Sequence, residues 1–228
     1  MPRPTQRLAI YDMDKTITHA PTWTAFLIAA ARDHAPWRLV LLPLAGIATA
    51  GYAAKLLDRA GLKQATQRLM LGRSVPAEAT KAIVARFADH VVASGTFAGA
   101  RAQIAADRAE GRRLVMATAS YRFYAAAIAE RLGFDDVIAT NSRLAPDGAL
   151  LPVIDGENCY GPAKLAMIEA WMRAQGIDRA DAHVRFYSDH VSDAPALAWA
   201  DDAWAVNAHG PLRTLAKAEG WTIVDWER

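Results

Sequence analysis

The sequence predicts an α/β protein: a parallel sheet layered with helices, carrying an all-helical block inserted directly after its first strand. Three observations predict it. A short apolar run, Leu8 to Tyr11, reads as a buried strand and ends abruptly in two carboxylates one residue apart, Asp12 and Asp14. From there to about residue 94 nothing alternates like a strand. From about residue 95 onward, short apolar runs alternate with helical patterns, which implies a parallel sheet with right-handed crossovers.

The 228 residues suffice for one large domain or a core with an insertion, and 53% hydrophobic with 22% charged content is that of a folded globular chain. A net charge of +2 is too small to imply nucleic-acid binding. The single cysteine, Cys159, excludes an internal disulfide and a Cys-based metal cage, and reads as a small apolar residue. The polar start, Met1 to Arg7, has no hydrophobic signal region, so a cytoplasmic location is expected.

In chain order, Thr22 is placed to cap a helix over Trp23–Ala31. The tract Leu39–Ala54 then carries no charge, is flanked by Arg38 and Lys55, and contains Pro43. It falls short of the ~20 apolar residues that span a bilayer, leaving a buried helix, a hairpin bent at Pro43 or Gly46, or an interfacial segment. The buried helix is preferred. Helices follow over about 53–71 and 76–92, the second with Pro76 in its first turn. Ser94 to Phe97 is the return point, so the expected domains are a core of 1–17 with 95–228 and a helical cap of 18–94.

Beyond it, a helix over 99–110 stops at Gly111, strand Arg113–Ala117 leads into Thr118-Ala119-Ser120, and a helix over 121–132 stops at Gly133. Strand Val137–Thr140 precedes the hairpin signal Pro146-Asp147-Gly148. A helix over 164–175, strand Val184–Tyr187, strand Ala203–Asn207 and a helix over 212–219 complete the pattern, with a short tail.

Charged and hydroxyl groups recur close to the carboxyl ends of these strands, where open α/β sheets bind ligands. Asp12 and Asp14 there ask for a compensating cation, and hard divalent ions such as Mg²⁺ favour oxygen ligands. Thr118, Lys164, Asp189 and Asp193 stand at comparable places, and their types suit phosphoryl transfer. A carboxylate can attack phosphorus, a second can protonate the leaving oxygen, and a hydroxyl and an ammonium can hold the phosphoryl oxygens. Plainer roles compete: Ser120 with Thr118 as the phosphate hydroxyl, a solvated first-turn position for Lys164, and an N-terminal helix charge for Asp193. His19 and His190 lie near these motifs but read as surface or packing residues, and the tryptophans as packing.

The ordered set resembles the haloacid dehalogenase (HAD) superfamily of phosphatases. Its motifs correspond to Asp12-Met-Asp14-Lys-Thr16, to Thr118 ending a strand, to Lys164, and to the pair Asp189-His-Val-Ser-Asp193. The resemblance covers nearly the whole chain and implies a Rossmann-like three-layer core. The position of the helical insertion is similar to the branch containing phosphoserine phosphatase. It implies Asp12 as nucleophile and metal ligand, and Asp14 as general acid/base lending its backbone carbonyl to Mg²⁺. It implies Thr118 and the following backbone N–H of Ala119 as phosphate binders beside Lys164, with Ser120 in the same loop. It further implies Asp189 as metal ligand, and Thr16 and Asp193 as supporting residues.

The expected activity is Mg²⁺-dependent hydrolysis of a phosphate monoester through an aspartyl phosphate. Alternatives are transfer of that phosphoryl group to an alcohol and a regulatory role without catalysis. Phosphoserine phosphatases carry a glutamate after the first motif that can engage the substrate ammonium; Thr18 to Trp23 holds no acid, which disfavours phosphoserine. Lys55, Arg59 and Lys63 at i, i+4, i+8 share one face of a continuous helix, which could meet an anionic substrate or lipid surface but is most simply a solvated one. The apolar tract followed by this basic helix is also similar to the cap of a phosphatidylglycerophosphate phosphatase. That likeness makes a lipid phosphate a lead beside small phosphate esters, with peripheral contact to the inner face of the membrane through the cap.

Overall fold

The computed structural model describes residues 6–226; the polar start at residues 1–5 lies outside them. The strands are β1 (Gln6–Tyr11), β2 (Arg113–Tyr121), β3 (Asp136–Leu144), β4 (Leu150–Asp155), β5 (Ala182–Ser188), β6 (Asp202–Val206) and β7 (Thr222–Val224). Among the described residues they form one sheet in the order β4-β3-β2-β1-β5-β6-β7. Every pairing is parallel except the β3–β4 hairpin. β1 is central: Tyr11 pairs with Met116 on one side and with Tyr187 on the other. The chain therefore leaves β1 in opposite directions, and the crevice at such a switch point is where open α/β sheets bind ligands.

The sheet is buried on both faces, which is why β1 reads as a continuous apolar run. Leu8 and Ile10 pack with Ile168 of α7 (Pro162–Ala174), Leu197 of α8 (Ala194–Trp199) and Leu212 of α9 (Gly210–Glu219). Ala9 and Tyr11 face the other layer, with Ile104 of α5 (Ala98–Ala109) and Ile128 of α6 (Arg122–Leu132). The same cluster runs on through Phe26 of α1 (Thr22–His34), Met70 of α3 (Arg59–Leu71) and Phe87 of α4 (Ala77–Ser94). The chain enters and leaves this helical block side by side: His19 N–H donates to Gly95 O, and Phe97 N–H donates to Ile17 O.

Three local expectations are corrected. Thr22 is the first residue of α1 rather than a side-chain cap, because Pro21 precedes it and its own groups are engaged elsewhere. The helix expected from residue 53 begins at Arg59: Lys55 takes a positive φ of 60°, and the Asp58 carboxylate accepts from Gly61 N–H as the cap. The apolar tract is not a buried helix. A 3-10 turn over Pro36–Leu41 runs into α2 (Leu42–Ala53), and neither contains a buried residue. α1 and α3 already close the core beneath, leaving α2 nothing to be covered by. The tail forms β7, an edge strand of three residues.

Candidate active site

The carboxyl end of β1 is where the site begins. Asp12 N–H donates to Tyr187 O, which continues the strand pairing by one residue and fixes the carboxylate in the crevice between β2 and β5. The chain then turns sharply through Lys15, at a φ of 61° that side-chain-bearing residues rarely adopt. Asn207, after β6, holds this strained turn by donating from its amide to Lys15 O. Local backbone strain of this kind gathers at functional sites.

Lys164 reaches Asp12 from the opposite layer. Gly161 takes a φ of 59° and Pro162 starts α7, so Lys164 sits in the first turn with its side chain under the β1 end. Its ammonium donates to Asp12 Oδ1 at 2.8 Å and to Asp193 Oδ2 at 2.6 Å, with only 2% of the residue exposed. Burial disfavours that charge, yet Asp12 and Asp193 outweigh it and hold the lysine pKa above its usual range. Ser188 Oγ also donates to Asp193 Oδ2. A solvated first-turn lysine is thereby ruled out.

Asp189 faces Asp12 across Thr16. Thr16 Oγ1 accepts from Asp189 N–H at 3.0 Å and lies 3.4 Å from a carboxylate oxygen of each acid. Burial pushes Asp12 up to about 8, Lys164 opposing and Asp193 and Asp189 adding to the rise. Burial likewise pushes Asp189 up to about 6, with Asp193 adding to it. Two buried carboxylates raised in this way are ones that a cation would stabilise. Among the described residues no cluster of three or more His, Cys, Asp or Glu side chains is gathered as a metal cage. Two carboxylates supplemented by a backbone carbonyl and water nevertheless suit Mg²⁺, which retains several waters.

Asp14 points elsewhere. Its Oδ1 accepts from Thr22 N–H and Thr22 Oγ1, both at 2.8 Å, at the N-terminus of α1, where a negative charge is favoured. Its Oδ2 accepts from Ser120 Oγ at 2.7 Å, and Tyr124 donates in turn to Ser120. The Ser120 hydroxyl is thus occupied by Asp14, while Thr118 lines the cavity and its Oγ1 accepts from Ser120 N–H, leaving its own proton free. The cavity, about 210 Å³, is lined by Asp12, Asp14, Thr118, Ala119, Lys164, Asp189 and Asp193. All the residues picked out by sequence except Thr16 and Ser120 line it directly.

Two cations of α3 belong here, where a solvated face was the simpler expectation. Arg59 lines the cavity with its guanidinium 4.0 Å over the Tyr160 ring. Lys63, read by spacing as part of a solvated face, is buried instead. Its ammonium donates to Ala119 O, Thr140 Oγ1 and Asn158 Oδ1, and so ties the helical block to the Thr118–Ser120 end of β2. Burial, with Arg59 adding repulsion, pushes Lys63 down to about 7. Little in the sequence signals this: Lys63, Thr66, Gln67 and Met70 share the inward face of α3 and are all buried, but only Met70 is apolar. His190 also lines the cavity, stacked on His209 at 4.5 Å, whereas His19 packs edge-on against Phe97.

Known proteins resemble this chain in fold and in sequence. A protein of unknown function from Bordetella pertussis Tohama I superposes with a TM-score of 0.85 at 26% identity, covering 97% of this chain and 99% of that one. A phosphoserine phosphatase carrying a phospho-aspartyl intermediate analogue shares the fold, with a TM-score of 0.64 at 19% identity over 98% of this chain and 94% of that one. A putative hydrolase of Mycobacterium leprae is 29% identical over 225 residues, covering 96% of this chain and 72% of that one. A phosphoserine phosphatase of Mycobacterium tuberculosis is 28% identical over 225 residues, covering 96% and 70%. The family model for haloacid dehalogenase-like hydrolases matches residues 9–198, most of the chain. The chain is a member of the haloacid dehalogenase-like hydrolase family.

Proposed function

We propose that the protein is a phosphatase that hydrolyses a phosphate monoester through an aspartyl phosphate on Asp12, with Mg²⁺ as its cofactor. The observation that supports it most is the convergence, in one cavity, of Asp12 clamped by Lys164, Asp14 two residues on, Thr118 and Asp189. In this reading a carboxylate oxygen of Asp12 attacks phosphorus as the ester P–O bond breaks, and Asp14, having first taken up a proton in place of one of its hydrogen bonds from Thr22 or Ser120, gives that proton to the leaving alkoxide. Asp14, now anionic, takes a proton from water as that water attacks phosphorus, which frees phosphate and restores Asp12. Thr118 and Lys164 hold the phosphoryl oxygens and offset their charge throughout. Asp12, Asp189 and the Asp14 backbone carbonyl would hold Mg²⁺, which supplies charge neutralisation for nucleophile and substrate when bound.

The helical block acts as the cap in this scheme, with Lys63 fixing the phosphate-binding end of β2 to it and Arg59 offering a cation for a second anionic group of the substrate. Among the cavity residues the carboxylates are Asp12, Asp14, Asp189 and Asp193, all assigned to chemistry. None is left for a substrate ammonium, which supports the reading against phosphoserine. Small anionic phosphate monoesters and lipid phosphates are the classes to screen.

Turnover of p-nitrophenyl phosphate tests the activity. We expect hydrolysis with Mg²⁺, a loss of at least about a hundredfold after chelation, and recovery on adding the metal back. Undiminished hydrolysis in chelator overturns the cofactor assignment. Ser120→Ala should lower kcat about tenfold with KM little changed, because it loosens Asp14 without touching the phosphate site. A rise in KM with kcat unchanged would instead make Ser120 a phosphate ligand.

A further inference from the structure

We infer that the segment Pro36–Leu56 is a docking surface for an anionic lipid bilayer, on which the protein lies peripherally. Trp37, Val40, Ile47 and Leu56 are 63%, 71%, 66% and 81% exposed. Leu44 and Ile47 stand one turn apart on α2 and extend the same apolar face. A helix that is apolar all round is normally enclosed, and a contiguous exposed apolar patch marks an interaction site. Even the inner side of α2 is loosely seated, with a cavity of about 250 Å³ between it and residues of α1 and α3 such as Leu27 and Met70.

Charge selects the occupant. Between Asp33 and Asp58 the chain has no carboxylate, while Arg38 and Lys55 stand at the two ends of the apolar stretch. A second copy docking here by two-fold symmetry would bring these cations against one another. Anionic headgroups pair with Lys55 and with the remaining N–H groups of the half-buried Arg38, whose Nη1 donates to Leu69 O and Arg68 O. The Arg38 guanidinium lies 4.6 Å over the Trp37 ring, an aromatic and a cation together at the edge of an apolar face, as interfacial helices present them. The twelve residues of α2 give a length of about 18 Å, too short to span, and no helix among the described residues is long and apolar enough to cross a membrane. The helix therefore lies in the interface. Three residues after Leu56 along the chain, Arg59 lines the catalytic cavity.

This inference rests on the exposed segment alone and stands or falls independently of the phosphatase reading. The test is co-sedimentation of the full chain with phosphatidylcholine vesicles, with and without phosphatidylglycerol. Binding to the phosphatidylglycerol vesicles, weakened by salt, is expected. The double variant Val40→Asp, Ile47→Asp should lower partitioning about tenfold or more while leaving p-nitrophenyl phosphate turnover at the wild-type level. Lys55→Glu should weaken binding about fivefold, and only to the anionic vesicles. Binding to neither vesicle, or binding unchanged in the double variant, overturns the proposal. So does a wild-type dimer in sedimentation equilibrium that the double variant turns monomeric while vesicles bind neither form.

Discussion

Asp12→Asn is expected to lower turnover of p-nitrophenyl phosphate by at least about a thousandfold, roughly 4 kcal/mol of transition-state stabilisation, without unfolding the chain. Asparagine has nearly the shape of aspartate and keeps an oxygen able to accept from Lys164. It lacks the anionic oxygen that must bond to phosphorus. The loss should therefore appear in kcat, and no phosphoenzyme should be trapped by acid quench from the variant. Asp12 is buried and burial pushes it up to about 8, so the neutral amide relieves a desolvation cost. In chelator the variant should accordingly melt no lower than the wild type. Appreciable residual turnover would remove Asp12 as nucleophile, and a collapsed melting transition would make its role structural.

The parts of this site that could be read from sequence are those where a local rule coincides with the global fold. An apolar strand closed by Asp12 and Asp14 is hard to place anywhere but a ligand-binding strand end, and parallel alternation gathers Thr118, Asp189 and Asp193 along the same edge. Lys63 escaped because its meaning depends on where α3 begins. Counted from residue 53 it shares a face with Lys55, but the break at Lys55 and the cap at Asp58 reset the helix, and tertiary packing turns Lys63 inward. Ser120 could not be separated from Thr118 because both follow the same strand, and only the distance to Asp14 distinguishes them. The apolar tract shows a third limit. Composition indicates that such a segment seeks an apolar partner, while only the packing of α1 and α3 reveals that the partner is not this chain's own core.

Lys164→Met is expected to produce the largest loss of stability of any single change at the site, about 3–5 kcal/mol in chelator. Methionine fills much of the stem's volume, so the effect reports the missing ammonium and not a cavity. Without it Asp193 is left in the interior with no countercharge, Asp12 is pushed still further up and loses its donor, and the Ser188 hydroxyl on Asp193 is too weak a substitute. If Asp12 and Asp189 hold a divalent cation, that ion restores part of the compensation, so the same variant should lose less stability in Mg²⁺ than in chelator. Urea unfolding under both conditions measures the difference; equal losses would mean that the cation does not neighbour Asp12. Adding Asp193→Asn to Lys164→Met should recover part of the stability, because the orphaned charge is removed, and the two sites must couple since they are in contact. Turnover should stay at least about a hundredfold down in that double variant, because the phosphoryl oxygens still lack their cation. Recovery of both together would reduce Lys164 to a packing group; recovery of stability alone separates its two duties, holding the acids in the folded chain and holding charge in the reaction.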